Sequence, residues 1–69
     1  MANIVLSVDG MSCEHCVKAI TNAVGALSGV SGVVVDLAAK TVTVDYDESV
    51  SSVDDIKSEI EDQGYDVVG

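Results

Sequence analysis

The stretch Gly10-Met11-Ser12-Cys13-Glu14-His15-Cys16 stands where the apolar pattern of the chain changes from the period of a strand to that of a helix. Before it, apolar side chains alternate along one strand face: Ile4, Leu6 and Val8. After it, they recur at helical spacing: Val17, Ile20, Val24 and Leu27. This change predicts a strand, a turn at Gly10 and a first helix with Ser12 as its N-cap. The glycines of residues 25–29 are expected to end that helix with positive φ angles.

Two β-branched runs follow, at residues 30–37 and 41–46, and a short connection joins them at residues 38–40. They predict an antiparallel hairpin. One face of the hairpin is expected to be apolar: Val33, Val35, Leu37, Val42, Val44 and Tyr46. The opposite face carries mostly polar residues, with Val34 as the exception.

A second helix is predicted to begin at Ser51 or Ser52, because Ser52-Val53-Asp54-Asp55 has the form of a capping box. Its buried stripe is expected to contain Val53, Ile56 and Ile60, and Gly64 to cap its C-terminus. Residues 65–68 form a short last strand. The order β-α-β-β-α-β predicts an α+β, ferredoxin-like sandwich, with a four-stranded antiparallel sheet and two helices on one face. Residues 1–69 are expected to form one domain.

Size and charge exclude several classes of function. The 69 residues leave little room for an enclosed active site, so an enzyme is not expected. The formal charge of −9 argues against binding of nucleic acid or of an anionic membrane. Residues 1–44 carry a net −1 (three acids, two lysines) and residues 45–69 a net −8 (nine acids, one lysine). We therefore expect a near-neutral motif end and an acidic second half, which would either serve solubility or orient a partner with a basic surface.

The N-terminus has no basic region before an apolar run, and no segment approaches the roughly 20 apolar residues of a membrane span. The sequence therefore predicts a cytoplasmic protein without membrane insertion. Thiols stay reduced in that compartment. A close cysteine pair there indicates a metal site or a redox pair more often than a structural disulfide.

Cys13 and Cys16 are the only cysteines, and they lie at a junction between loop and helix. A helix N-terminus and a neighbouring cysteine lower the pKa of a thiol, which favours thiolate. Two thiolates without an obligatory third ligand suit Cu(I), whereas structural zinc sites use four protein ligands. A dithiol redox protein and an inert pair remain alternatives. The absence of proline and tryptophan argues against a thioredoxin-like protein.

Three neighbours of the pair could influence a bound metal. Met11 has a thioether but is expected to fill the core. His15 is either a solvated side chain or a residue that tunes the site or adds a ligand when two molecules meet. Tyr65 follows the second helix and is expected to return to the motif, where its hydroxyl could reach a metal thiolate.

The stretch from Gly10 to Cys16 resembles the G-M-x-C-x-x-C signature of the heavy-metal-associated domain family, and the likeness extends over nearly the whole chain. The chain looks most like the soluble bacterial copper chaperones of that family. The resemblance implies that Cys13 and Cys16 bind Cu(I), that Met11 lies in the core and that Tyr65 lies near the metal. Zinc- and cadmium-handling relatives often have aspartate at the position of Ser12, so the serine argues against those metals.

The expected function is therefore that of a cytoplasmic Cu(I) carrier. It would deliver copper to the metal-binding domain of a copper-transporting P-type ATPase by exchange of thiolate ligands. A copper-bridged homodimer is a secondary expectation. An N-terminal metal-binding domain of the ATPase itself is an alternative, and the start at Met1 without a trailing linker favours a separate protein.

Overall fold

A computed structural model describes residues 2–11 and 14–68 of the protein. The elements follow the predicted order: β1 (Ala2–Asp9), α1 (Glu14–Gly25), β2 (Val30–Asp36), β3 (Thr41–Tyr46), α2 (Val53–Asp62) and β4 (Asp66–Val67). Across residues 2–11 and 14–68, no helix is long and apolar enough to cross a membrane.

The four strands form one antiparallel sheet in the order β2-β3-β1-β4. Helix α1 packs against β2, α2 packs against β4, and the two helices touch each other. Both helices therefore cover the same face of the sheet, which confirms the predicted ferredoxin-like sandwich.

The core lies between the helices and the inner face of the sheet. Its most deeply buried side chains are aliphatic: Leu6, Val8, Ile20, Val24, Val42, Val44, Ile56 and Ile60. The pairing of Val33 with Val44 and of Val35 with Val42 agrees with the predicted apolar face of the hairpin. Val34 is 66% exposed on the outer face, in agreement with its place as the exception to the pattern.

The buried stripe of α1 differs from the prediction at its first turn. Cys16, Ile20 and Val24 are buried, whereas Val17 is only half-buried. Residues four positions apart share a helix face, so the stripe that ends at Val24 passes through Cys16. Val17 instead lies one position around the helix, at the margin of the core.

The glycines after α1 also differ from the prediction. Gly29 has a φ of +88°, but Gly25 is not among the residues with positive φ and forms the last position of the helix. A Cβ atom on Gly29 would lie 2.8 Å from the Cβ of Val50. The Asp47 N–H donates to the Gly29 carbonyl at 2.7 Å, and the Ser51 hydroxyl donates to the Ser28 carbonyl. The connection from α1 to β2 is therefore tied to the connection from β3 to α2.

The predicted caps of α2 are confirmed. The Asp55 N–H donates to the Ser52 hydroxyl oxygen at 3.3 Å, and the Ser52 N–H donates to the Asp55 carboxylate at 3.2 Å. At the other end, Gly64 has a φ of +92° and its N–H donates to the Glu61 carbonyl at 2.9 Å. The α2 backbone groups that lack partners within the helix are thus partly satisfied at both ends.

Candidate metal centre

The motif lies at one end of the sandwich, where it follows the end of β1 at Asp9 and continues into the first turn of α1, which begins at Glu14. We call this the loop end. The pairing of Asp9 with Asp66 brings the chain that follows α2 to the loop end, and the antiparallel hairpin places the β2–β3 turn there as well. Ser12 and Cys13 lie outside the described residues. The Ser12 cap and the pairing of Cys13 with Cys16 at a metal therefore stay predictions.

Cys16 lies in the first turn of α1 and is 8% exposed. It belongs to the same cluster of buried residues as Met11 and Ile20. Because the inward side of α1 runs from Cys16 through Ile20, the helix itself aims this thiol at the core. One of the two predicted ligands is therefore shielded from water by apolar neighbours.

Met11 is 5% exposed and is part of the core cluster. This burial agrees with the expected packing role beneath the loop. A thioether side chain adapts its shape to an irregular gap, here between the end of β1 and the start of α1. Whether Met11 influences a bound metal is a separate prediction.

Tyr65 is half-buried and packs against the core at the loop end. A Cβ atom placed on Gly10 would lie 3.5 Å from the Cδ1 atom of Tyr65. The Tyr65 ring therefore lies directly beside the Gly10 backbone. Gly10 has a φ of +94°, a backbone conformation that residues with a Cβ atom rarely adopt. The expected return of Tyr65 to the motif is thus confirmed, while its action on a metal stays a prediction.

His15 and Glu14 are exposed on the first turn of α1. Within residues 2–11 and 14–68, no group of three or more His, Cys, Asp or Glu side chains converges to hold a metal ion. The described residues therefore place no ready cluster of further donors around Cys16.

The loop end is more acidic than the sequence predicted. Asp9 pairs with Asp66 on adjacent strands, and the last turn of α2 carries Glu61 and Asp62 without any basic residue. The expectation of a near-neutral motif end is wrong, because the fold places acidic residues from the second half of the chain beside the motif. Like charges directly across a sheet, and acids at a helix C-terminus, oppose folding.

An open groove of about 580 Å³ lies beside the loop end, between the first two turns of α1 and the end of β2. Its lining combines apolar and charged residues: Glu14, Val17, Lys18, Val34, Val35, Asp36, Leu37 and Ala38. The sequence interpretation missed this groove. The only available signal was Val34, the apolar residue on the otherwise polar face of the hairpin.

A ferredoxin-like sandwich with a Cys-x-x-Cys pair at the start of its first helix defines a class of small metal-binding domains. Residues 5–66 match the Heavy-metal-associated domain family, and the chain belongs to that family.

Several relatives are named as copper proteins. The chain is 55% identical over 67 residues to the "Copper chaperone CopZ" of Bacillus subtilis, with 97% of each chain covered. A solved structure of a "CopZ metallochaperone" is 45% identical, with a TM-score of 0.96 over 97% of this chain and 100% of the other. The crystal structure of a copper-binding domain from HMA7, a P-type ATPase, is 31% identical, with a TM-score of 0.93 over 100% and 96%. These findings support a metal-binding copper chaperone, which is how the curated relatives are named.

Proposed function

We propose that the protein binds one Cu(I) ion between the thiolates of Cys13 and Cys16 and carries it through the cytoplasm to a copper-transporting P-type ATPase. The observation that carries the proposal is the position of Cys16, which α1 holds at the loop end with its thiol against the core. The near full-length likeness to copper chaperones supports copper as the cargo. The oxidation state follows from the donor set, because paired thiolates favour Cu(I).

Transfer would proceed by ligand exchange. A thiolate of the partner adds to the ion and forms a three-coordinate intermediate, after which one sulfur of this protein leaves. A two-thiolate site on a loop leaves a direction open for that attack, whereas a closed cage of four ligands would first have to break. The proposed acceptor is a metal-binding domain of the ATPase, because such a domain shares this fold in a relative.

The residues around the pair would adjust the site. Tyr65, beside Gly10, would limit access of water, and exposed His15 would face an incoming partner. Met11 would support the loop from the core, and Ser12 would cap α1. We further propose that residues 1–69 act as one domain without enzymatic activity, and that copper can bridge two copies through the loop end.

The test of copper binding is an anaerobic titration of the reduced protein with Cu(I) and with Zn(II), each against a competing thiol. We expect Cu(I) to be retained at thiol concentrations that remove Zn(II), because the soft ion prefers thiolate pairs. Cys13→Ser should abolish the retention of Cu(I), while Met11→Leu, a change that keeps the volume of the core, should leave it nearly unchanged. Retention of zinc beyond that of copper would contradict the proposal.

Delivery is tested separately by mixing the Cu(I)-loaded protein with a purified metal-binding domain of a copper ATPase and following both amide NMR spectra. We expect the acceptor to gain copper without free Cu(I) accessible to a chelator. Reduction of insulin disulfides by the metal-free protein is the matching control, since such activity would favour the dithiol redox alternative.

A further inference from the structure

We propose that the outer edge of β2, together with the groove beside it, binds an extended segment of a partner polypeptide whose apolar residues are flanked by lysine or arginine. This docking surface consists of β2 (Val30–Asp36) and the groove between β2 and α1. It goes beyond the proposed copper transfer, because it uses neither cysteine.

The two edges of the sheet differ in length and composition. One edge is β4, a strand of two residues, and the other is β2, a strand of seven residues. Among the described residues, β2 pairs only with β3. A register shift between Val30 and Gly32 interrupts its start, and the regular part from Gly32 to Asp36 contains no lysine or proline. Proteins usually blunt a long apolar edge with such residues, because its outward N–H and C=O groups accept another strand. β2 is therefore the edge at which a strand can be added.

Apolar surface lies on both sides of this edge. On the inner side, Val17, Val35 and Leu37 line the groove. On the outer side, Val34 is 66% exposed and also borders the groove. Alternate side chains of an added strand point to opposite faces, so one set would enter the groove and the other would cover Val34. Main-chain hydrogen bonds would then supply affinity and the groove would supply selectivity.

The negative charge of the groove and of the whole chain favours one kind of binding partner. The groove contains Glu14 and Asp36 with Lys18, and the whole chain carries −9. A second copy paired at β2, without a bridging copper ion, would bring another −9 against the first, which opposes association. A segment with lysine or arginine beside its apolar residues would instead meet complementary charge. A basic extended segment is thus favoured over self-association.

The probe is the synthetic peptide Lys-Val-Thr-Val-Thr-Val-Lys, titrated into isotope-labelled full-length protein while amide NMR spectra are recorded. We expect chemical-shift changes in residues 30–36 and at Val17 and Lys18, with slower hydrogen exchange along β2. Binding of the same peptide with glutamate in place of lysine should be weaker by roughly tenfold or more. Methylation of the peptide nitrogens that face β2 should abolish binding, whereas methylation of the outward nitrogens should not.

Two variants separate the edge from the rest of the sheet. Val34→Lys places a charge at the edge and should weaken peptide binding about tenfold. Val5→Lys makes the same change in charge on the same face, where Val5 is 56% exposed, but on the central strand β1, and should leave binding unchanged. Both residues are exposed, so both variants should keep the native spectrum and the wild-type retention of Cu(I).

The proposal is overturned by several results. One is the absence of chemical-shift changes at millimolar peptide, and another is a set of changes that maps to β4 or α2. The acidic peptide binding as tightly as the basic one, or Val5→Lys weakening peptide binding as much as Val34→Lys, would also overturn it. Shifts of residues 30–36 that depend on protein concentration without peptide would assign the edge to a second copy and would overturn it as well.

Discussion

Gly29 meets two requirements at once, one from the backbone and one from packing. Its φ of +88° lies in the left-handed region, and a Cβ atom there would come within 2.8 Å of the Val50 Cβ. The left-handed conformation alone costs other residues about 1–2 kcal/mol. Gly25, only four positions earlier, meets neither requirement, since it is helical and nothing lies within 4 Å of its missing Cβ.

The two glycines therefore form a matched pair of tests. Gly29→Ala should lower the free energy of unfolding by about 2 kcal/mol or more, because backbone strain and the contact with Val50 add. Gly25→Ala should change it by less than about 1 kcal/mol and in the stabilising direction, because alanine favours the helix. Urea denaturation of the reduced, metal-free protein measures both values. Equal effects of the two substitutions would contradict this account.

The Asp47 side chain accepts hydrogen bonds in the connection between β3 and α2, at the end of the sandwich opposite the motif. The Ser49 hydroxyl donates to the Asp47 carboxylate at 2.6 Å and the Ser49 N–H donates to the same oxygen at 3.0 Å. These two hydrogen bonds, the hydroxyl first, lower the pKa of Asp47 below its usual value of 3.8. The ionised carboxylate is thus the form that the folded state favours.

This arrangement predicts a pH dependence. Because the folded pKa is depressed, the stabilisation from Asp47 is present above about pH 4 and is lost as the pH falls through the folded pKa. Ser49→Ala should raise the pKa of Asp47, as measured by carboxyl NMR titration, and should destabilise the protein at pH 7 more than at the lowest pH. Ser58→Ala, a change in the middle of α2, should leave the pKa of Asp47 where it is.

At the scale of elements, α2 has the clearest start signal in the chain, and the structure follows it. Ser52→Ala removes the acceptor of the Asp55 N–H and should cost about 1 kcal/mol of unfolding free energy. Ser58→Ala is the control, because Ser58 is an exposed residue inside the helix, where alanine is preferred. Urea denaturation compares the two variants. A loss in Ser58→Ala as large as that in Ser52→Ala would show that the cap is unimportant.

The elements were predictable where local signals and burial agree. Alternation indicated which side chains share the inner face of the hairpin, and the capping box indicated the start of α2, because each pattern is set by residues close in the sequence. The first turn of α1 was less predictable. Cysteine is both a ligand type and a small apolar residue, so the sequence did not show that Cys16 takes the inward position that Val17 was expected to hold.

At the scale of the whole molecule, the charge distribution could not be predicted from charge per segment. Asp66 reaches Asp9 only because β4 pairs with β1 in the folded sheet. For the same reason the groove between α1 and β2 joins residues 14–18 to residues 34–38, two segments that are far apart in the chain. The motif itself was evident from the sequence, whereas its electrostatic surroundings required the topology.

The acidic loop end predicts a response to salt. Raising the NaCl concentration should raise the thermal unfolding midpoint of the metal-free protein, because salt screens repulsion among its twelve acidic side chains. The double variant Glu61→Gln with Asp62→Asn removes two charges from the unfavourable end of α2. It should be more stable at low salt and should respond less to added salt, as measured by circular dichroism. An unchanged salt response in the double variant would contradict this origin of the effect.

The directions of β1 and β4 have a practical consequence. β1 starts opposite Tyr46, far from the motif, and β4 runs antiparallel to β1, so it leads the chain back from the motif toward that same end. A flexible tether fused at the N-terminus would therefore leave the domain from the end opposite the motif, whereas one fused at the C-terminus would leave beside Ser7, nearer the motif. Anchoring the protein to a surface through its N-terminus would therefore leave the loop end turned away from that surface.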